Sequence, residues 1–270
     1  MDIKISTRAD VTAQLEAEGV DLTAVRTLFL SHAHFDHIGD PTRLPATCSI
    51  VVGPGFSEHC LPGYPEDAES PISGDAFHDR KLQELDFDNA SLRIAGLPAI
   101  DWFGDGSFYL LHTPGHAVGH ISALARTQLG DPTCGVVDTF LLLAGDVCHH
   151  MGELRPNHLQ HLPEAHPSSH GMQDERVPIS DYRSVHPERC TDRPFYKPAC
   201  GGFNQDSLMM QATVEKIKLL DSDPQVFTVL AHDHWLLDVV DLFPARANEW
   251  KAKGWAEKSR WRFLQDFRLT

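Results

Sequence analysis

Thr27-Leu28-Phe29-Leu30-Ser31-His32-Ala33-His34-Phe35-Asp36-His37 joins an apolar run to the pattern H-x-H-x-D-H. The run predicts a buried strand over 26–30. Three imidazoles and a carboxylate within six residues make a poor core and a good metal cradle. Neutral imidazole and carboxylate are both zinc ligands, and an open coordination position makes such a site catalytic. The first expectation is therefore metal-dependent hydrolysis, with zinc as the metal.

Further ligands are expected where other strands end. Phe108–His112 leads into Thr113-Pro114-Gly115-His116, Phe140–Ala144 into Gly145-Asp146, and Val226–Leu230 into Ala231-His232-Asp233. Each histidine or aspartate follows a small residue that lets the backbone turn sharply. One such strand end carries little information; four in a single chain point to a shared metal site.

The remaining pattern is α/β. A helix is expected over 8–18, capped by Ser6 or Thr7 and ended by Gly19, with strands at 49–52, 91–95 and 121–125. A second helix is expected near 206–220, with Leu208, Met209, Ala212, Ile217 and Leu220 as its apolar face. Trp235–Val240 reads as one more strand. Residues 53–80 and 147–203 read as long irregular loops that shape a pocket. The tail 244–270, with Trp250, Trp255, Trp261, Phe263 and Phe267, reads as helix packed on the body. One domain over 1–270 is expected.

Composition narrows the function classes. With 41% hydrophobic residues the chain can build a core, and its formal charge of -15 repels phosphate backbones, so nucleic acid is not expected as partner or substrate. The start of the chain shows no signal peptide, and no apolar run approaches the ~20 residues of a membrane helix. Six cysteines without a C-x-x-C pair read as free thiols of a cytoplasmic protein, Cys148 drawing attention for its nearness to Asp146. Of the 17 histidines, His158, His161, His166, His170 and His186 are not at ligand spacing and read as ordinary loop residues.

The set His32, His34, Asp36, His37, His116, Asp146 and His232 resembles the metallo-β-lactamase superfamily. That resemblance implies an αββα sandwich with metals at one edge. It also implies two Zn²⁺ per chain, in sites that manganese, iron or cobalt can occupy too. His32, His34 and His116 would hold the first ion, Asp36, His37 and His232 the second, and Asp146 would bridge them. Asp36 would also pass a proton to the leaving group. His120 and Asp233 are candidates for orienting the ligand imidazoles.

Ser31-His32-Ala33-His34-Phe35-Asp36-His37-Ile38-Gly39 and Thr113-Pro114-Gly115-His116-Ala117-Val118-Gly119-His120 are most similar to the N-acyl-homoserine lactonase-like branch. The implied substrate is a small molecule with a lactone or related cyclic ester or amide carbonyl. The alternatives are a thioesterase, glyoxalase II-like or acting on an acyl carrier, and a truncated, inactive metal-binding module. The acidic chain shows no basic cluster for glutathione, and its charge disfavours nuclease members.

Two departures from the family pattern stand out. The lactonase branch places tyrosine three residues after the bridging aspartate; here His149 stands there, followed by His150. An imidazole can still donate to an oxyanion, so His149 is carried as a catalytic candidate, with Tyr182 and Tyr196 as others. Only 31 residues precede His32, so part of the N-terminal sheet is expected to be absent, leaving a sheet edge through which copies could associate. Phe56, Tyr64, Phe77, Trp102 and Phe103 are candidates for a pocket lining or for the core.

Overall fold

A computed structural model describes residues 9–163, 165–167, 176–199 and 204–267. The chain's internal contacts divide into two compact units, Met1–Asn89 with Ala117–Ile121, and Ala90–His116 with Ser122–Thr270.

In the first unit, α1 spans Val11–Ala17 and is capped by Asp10, whose carboxylate accepts from Ala13 N at 2.7 Å. The expected caps Ser6 and Thr7 lie outside the described residues, while Gly19 follows the helix with positive φ as expected. Strands β1 (Thr27–Phe29), β2 (Ser49–Val52) and β3 (Leu82–Glu84) form a parallel sheet in the order β1-β2-β3. After β1 comes the short α2, Phe35–Ile38. The loop expected over 53–80 holds a further helix, α3 at Phe56–Cys60. Its start is capped from a distance: the Glu84 carboxylate accepts from Gly55 N at 2.6 Å and Ser57 N at 2.9 Å. No local capping residue announces it, because the acceptor lies on β3. Phe56 belongs to the core with Leu30, Ile50, Val52 and Cys60, and Phe77 packs against it. Tyr64 is exposed, so this loop supplies core more than pocket.

The second unit is built on a six-stranded sheet. Its strands are β4 (Leu92–Ile94), β5 (Leu97–Asp101), β6 (Phe108–His112), β7 (Ile121–Gln128), β8 (Thr139–Gly145) and, beyond the short antiparallel pair β9 (Ala165–Pro167) and β10 (Arg176–Pro178), β11 (Val226–Leu230). The order is β11-β8-β7-β6-β5-β4, with β11 parallel to β8 and β7 antiparallel to it. Strand β5 escaped the sequence reading because Pro98 interrupts its pattern. It forms through Ala95-Gly96, both with positive φ, a two-residue hairpin turn that sets Ile94 opposite Leu97.

The segment 147–203 also holds α4, Ile179–Val185. The longest helix among the described residues, α5 at Ser207–Asp221, buries Ile217 and Leu220 as expected, but the rest of its inward face differs from the one expected. Met210, Thr213, Val214, Ile217, Leu220 and Asp221 are buried, whereas Leu208 and Met209 are exposed. This is the i, i+3, i+4, i+7 stripe of a core-facing helix. It was obscured because two of its members, Lys218 and Asp221, are charged. Residues expected as a strand over 235–240 form a 3₁₀ turn, His234–Asp238, whose first turn is closed by Asp233 accepting from Trp235 N. The tail packs on the body as expected, although only α6, Trp255–Ser259, is α-helical. Trp250 and Trp255 enclose Phe227, and Phe263 and Leu264 enter the main core. No helix among the described residues is long and apolar enough to cross a membrane.

A buried ion pair braces this unit. Arg155 grips Asp221 through Nε at 2.7 Å and through a second guanidinium nitrogen, and donates its third to Arg260 O at 2.7 Å. Gln160 adds a bond to the same carboxylate at 2.9 Å. Burial alone would push the Asp221 carboxyl up; the Arg155 charge and these bonds outweigh it and hold it below its ordinary value of 3.8. A depressed folded-state pKa gives stability that is complete above the unfolded value and is lost as pH falls through the folded one. Arg155→Met, which strands a buried carboxylate, is expected to cost about 3–5 kcal/mol in urea unfolding at neutral pH. Adding Asp221→Leu should recover most of that loss and flatten the acid limb of the stability profile. Equal losses in the single and double variants would count against this account.

Candidate metal centre

In the first unit, Leu30 N donates to Val51 O, so the chain is still held to the sheet two residues before His32. His34 then stands at the N-terminal boundary of α2, which carries Asp36 and His37. The His32 ring is buried, with its centroid 4.6 Å from that of His34, 4.2 Å from His37 and 5.2 Å from His120. His32 Nε2 lies 3.1 Å from His34 Nδ1, and its Nδ1 lies 3.1 Å from Ser31 Oγ. Asp36 is exposed, its Oδ2 3.7 Å from His37 Nε2. His120 is brought here by Ile121 N, which donates to Ser31 O. The close approach of Gly53 to Gly119 holds the same segment, since a Cβ at Gly53 would fall 2.0 Å from Gly119 O.

In the second unit, His116 leaves β6 through Gly115. A Cβ on Gly115 would meet the Met210 backbone at 2.2 Å, and its φ of +128° lies in the region that favours glycine. The turn is bonded to the start of α5: Asp206 N donates to Gly115 O, Gln205 N to His116 O, and Thr213 Oγ1 to Pro114 O. On the His116 ring, Nδ1 meets Asn204 Oδ1 at 3.0 Å. Asn204 Nδ2 donates to Ala199 O, which turns Oδ1 toward the imidazole and makes His116 Nδ1 the donor.

His116 Nε2 is then left to face Asp146 Oδ2 at 3.4 Å. The same oxygen lies 3.4 Å from His149 Nε2 and 3.2 Å from His232 Nε2. The His149 ring stands 4.7 Å from His116 and stacks on His232 at 5.6 Å. Asp146 is buried just past the end of β8, beside a register shift that pairs Leu230 with Gly145. Such irregularities commonly re-aim residues at sites. A buried carboxylate oxygen ringed by imidazole nitrogens needs a cation or protons between them. The donor set fits a divalent ion of the zinc kind, and Asp146, His149 and His232 form a group able to hold one.

Other expected residues fall elsewhere. His150 is turned away from Asp146: its Nδ1 accepts from Gly152 N, and its Nε2 bonds Asp266. Tyr182 is buried in the core, and Tyr196 packs edge-on against His150 at 4.9 Å. Asp233 serves its own 3₁₀ turn, and burial pushes its carboxyl up. The Cys148 thiol is buried and pushed well above its ordinary value, as an inert core thiol is. His186 is spent on Arg193 O and Glu188 N; His170 and Cys200 lie outside the described residues. The sequence reading missed Asn204 and Glu153. The Glu153 carboxylate accepts His149 N at 3.0 Å, and burial raises its pKa. Neither residue sits in a recognisable motif; each is identified only by the fold.

Residues 5–126 match the metallo-β-lactamase superfamily profile. The chain is 41% identical over 268 residues to gamma-lactamase FDB1 of Fusarium pseudograminearum, covering 97% of this chain and 63% of that protein. It is 39% identical over 217 residues to gamma-lactamase MBL2 of Gibberella moniliformis, covering 79% of this chain and 88% of that protein. The chain belongs to the metallo-β-lactamase superfamily, a hydrolytic family. Among solved structures, B. thuringiensis AiiA with N-decanoyl-L-homoserine at its active site aligns with a TM-score of 0.48 and 14% identity, covering 86% of this chain and 65% of that one.

The Asn204 contact gives a direct expectation. Asn204→Ala, which frees the His116 ring, should weaken zinc binding about 10–100-fold by competition with a chromophoric chelator. Asn204→Asp, which keeps the acceptor, should bind near the original affinity. Unchanged affinity in the alanine variant would show that the ring is oriented by other contacts.

Proposed function

We propose that the chain is a metal-dependent hydrolase that opens the ring of a small cyclic amide or cyclic ester, a γ-lactam or a lactone, by breaking its acyl C–N or C–O bond. The observation that carries the reading is the convergence of three imidazole Nε2 atoms, from His116, His149 and His232, on one buried oxygen of Asp146. The metal assignment is part of the proposal: two zinc ions per chain, with His32, His34, Asp36, His37, His116, Asp146 and His232 as ligands. Family membership and the order of these residues support it. The relatives named gamma-lactamase support the amide arm, and the T-P-G-H-x-x-G-H pattern supports the lactone arm. The chain spans less than two thirds of the length of FDB1.

Bound at such a set, zinc would supply Lewis acidity and a water acidified to near neutrality. The protein's own part is orientation and proton handling. Asn204 holds His116, and Glu153 holds the backbone of His149. His149 is partly exposed, so its ring can donate to the oxygen that gains charge as the ring carbonyl is attacked. Asp36, exposed on α2, can return a proton to the departing nitrogen or oxygen. The acidic surface supports a small-molecule substrate and disfavours nucleic acid. Free cysteines at positions 48, 60, 134, 148 and 190 support a reducing, cytoplasmic setting.

The deciding assay is proton release by zinc-reconstituted protein from a γ-lactam and from an N-acyl homoserine lactone, with Asp146→Ala as control. Ring opening that disappears in the variant is the expected result; turnover that survives it would refute the metal reading. His149→Ala is expected to lower kcat about 10²–10³-fold with zinc content unchanged. A loss of zinc instead would make His149 a ligand.

A further inference from the structure

We infer that Asp266, in the C-terminal tail, is a positioning residue that fixes two metal-bearing loops in register. The inference rests on the metal-hydrolase reading for what the loops carry; the contacts themselves stand apart from it. Asp266 Oδ2 lies 2.9 Å from His150 Nε2 and 3.1 Å from Trp235 Nε1. His150 Nδ1 already accepts from Gly152 N, so its Nε2 carries the proton and donates to Asp266. The indole N–H can only donate. One carboxylate oxygen therefore receives a donor from the residue next to His149 and another from a residue three beyond His232.

The tail is held where this needs it. The Phe263 ring packs edge-on against His150 at 5.6 Å, and Phe263 and Leu264 are buried in the core. The Arg262 guanidinium lies over the Trp235 ring at 5.9 Å, adding a cation–π contact on the second loop. At their bases the loops are joined by Ala231 N donating to Gly145 O and by His232 Nε2 against Asp146 Oδ2. Farther out each has a short-range bond of its own, Glu153 to His149 N in one and Asp233 to Trp235 N in the other, and these do not tie one loop to the other. Asp266 does so directly, and the stacking of His149 on His232 is the geometry it would preserve. An aspartate in this tail belongs to none of the ligand-bearing motifs.

The test compares Asp266→Ala with Asp266→Asn, whose amide oxygen can still accept both donors. In metal-free protein, amide exchange across residues 147–153 and 232–239 should quicken about tenfold in the alanine variant, in both loops together, and stay near the original rate in the asparagine variant. With cobalt in place of zinc, the visible spectrum should change and affinity should fall about 10–100-fold in the alanine variant alone. Trp250→Phe is the control for general loosening: it loses the indole bond to Thr127 Oγ1, in the cluster around Phe227. It should lower Tm without altering the cobalt spectrum. Exchange that quickens in one loop only, or an alanine variant with the original exchange, overturns the inference. If the unaltered protein takes up no cobalt, the metal reading fails, while the exchange experiment still decides the role of Asp266.

Discussion

Burying a carboxylate is costly unless positive charge or hydrogen-bond donors reach it. Asp146 sits in the interior of the second unit at the end of a core strand, and three imidazoles are brought to one of its oxygens. Much of that unit can be understood as the means of bringing them there. Strands β8 and β11 run parallel, so their C-terminal ends lie side by side and deliver Asp146 and His232 together. His116 arrives from β6 over a glycine pressed against α5. His149 follows Asp146 by three residues and is held by Glu153.

The parts that were legible in the sequence are those where chemistry and periodicity coincide. Phe108–His112, Ser49–Val52 and Val226–Leu230 were readable as apolar runs and occur with those bounds. His32, His34, His116 and His232 stood out because imidazole just past an apolar strand has little packing purpose. What escaped was determined at a distance. Helix α3 takes its cap from Glu84 on β3, and β5 accepts a proline because a tight turn sets its register. Helix α5 buries Asp221 because Arg155, far away in sequence, neutralises it; an apolar-face reading finds Ile217 and Leu220 but misplaces the first turn when a charge is inside. Asn204 lies 88 residues from the ring it orients, and no local pattern could assign it.

The tail illustrates the same limit. Its five large aromatics signalled burial, and they are distributed over two clusters, one around Phe227 and one in the main core. Its polar residues carry the finer information. Arg260 offers its carbonyl to Arg155, and Asp266 offers its carboxylate to two loops. Composition predicted where the tail goes; only the fold shows what it holds once there.

The turn at Gly115 has a consequence for how this chain can diversify. The turn that carries His116 is tied to the start of α5 by two backbone bonds and by the absence of a side chain at position 115. Any side chain at position 115 would have to displace the start of α5. The turn and the helix can therefore change only together, and each limits the substitutions the other tolerates.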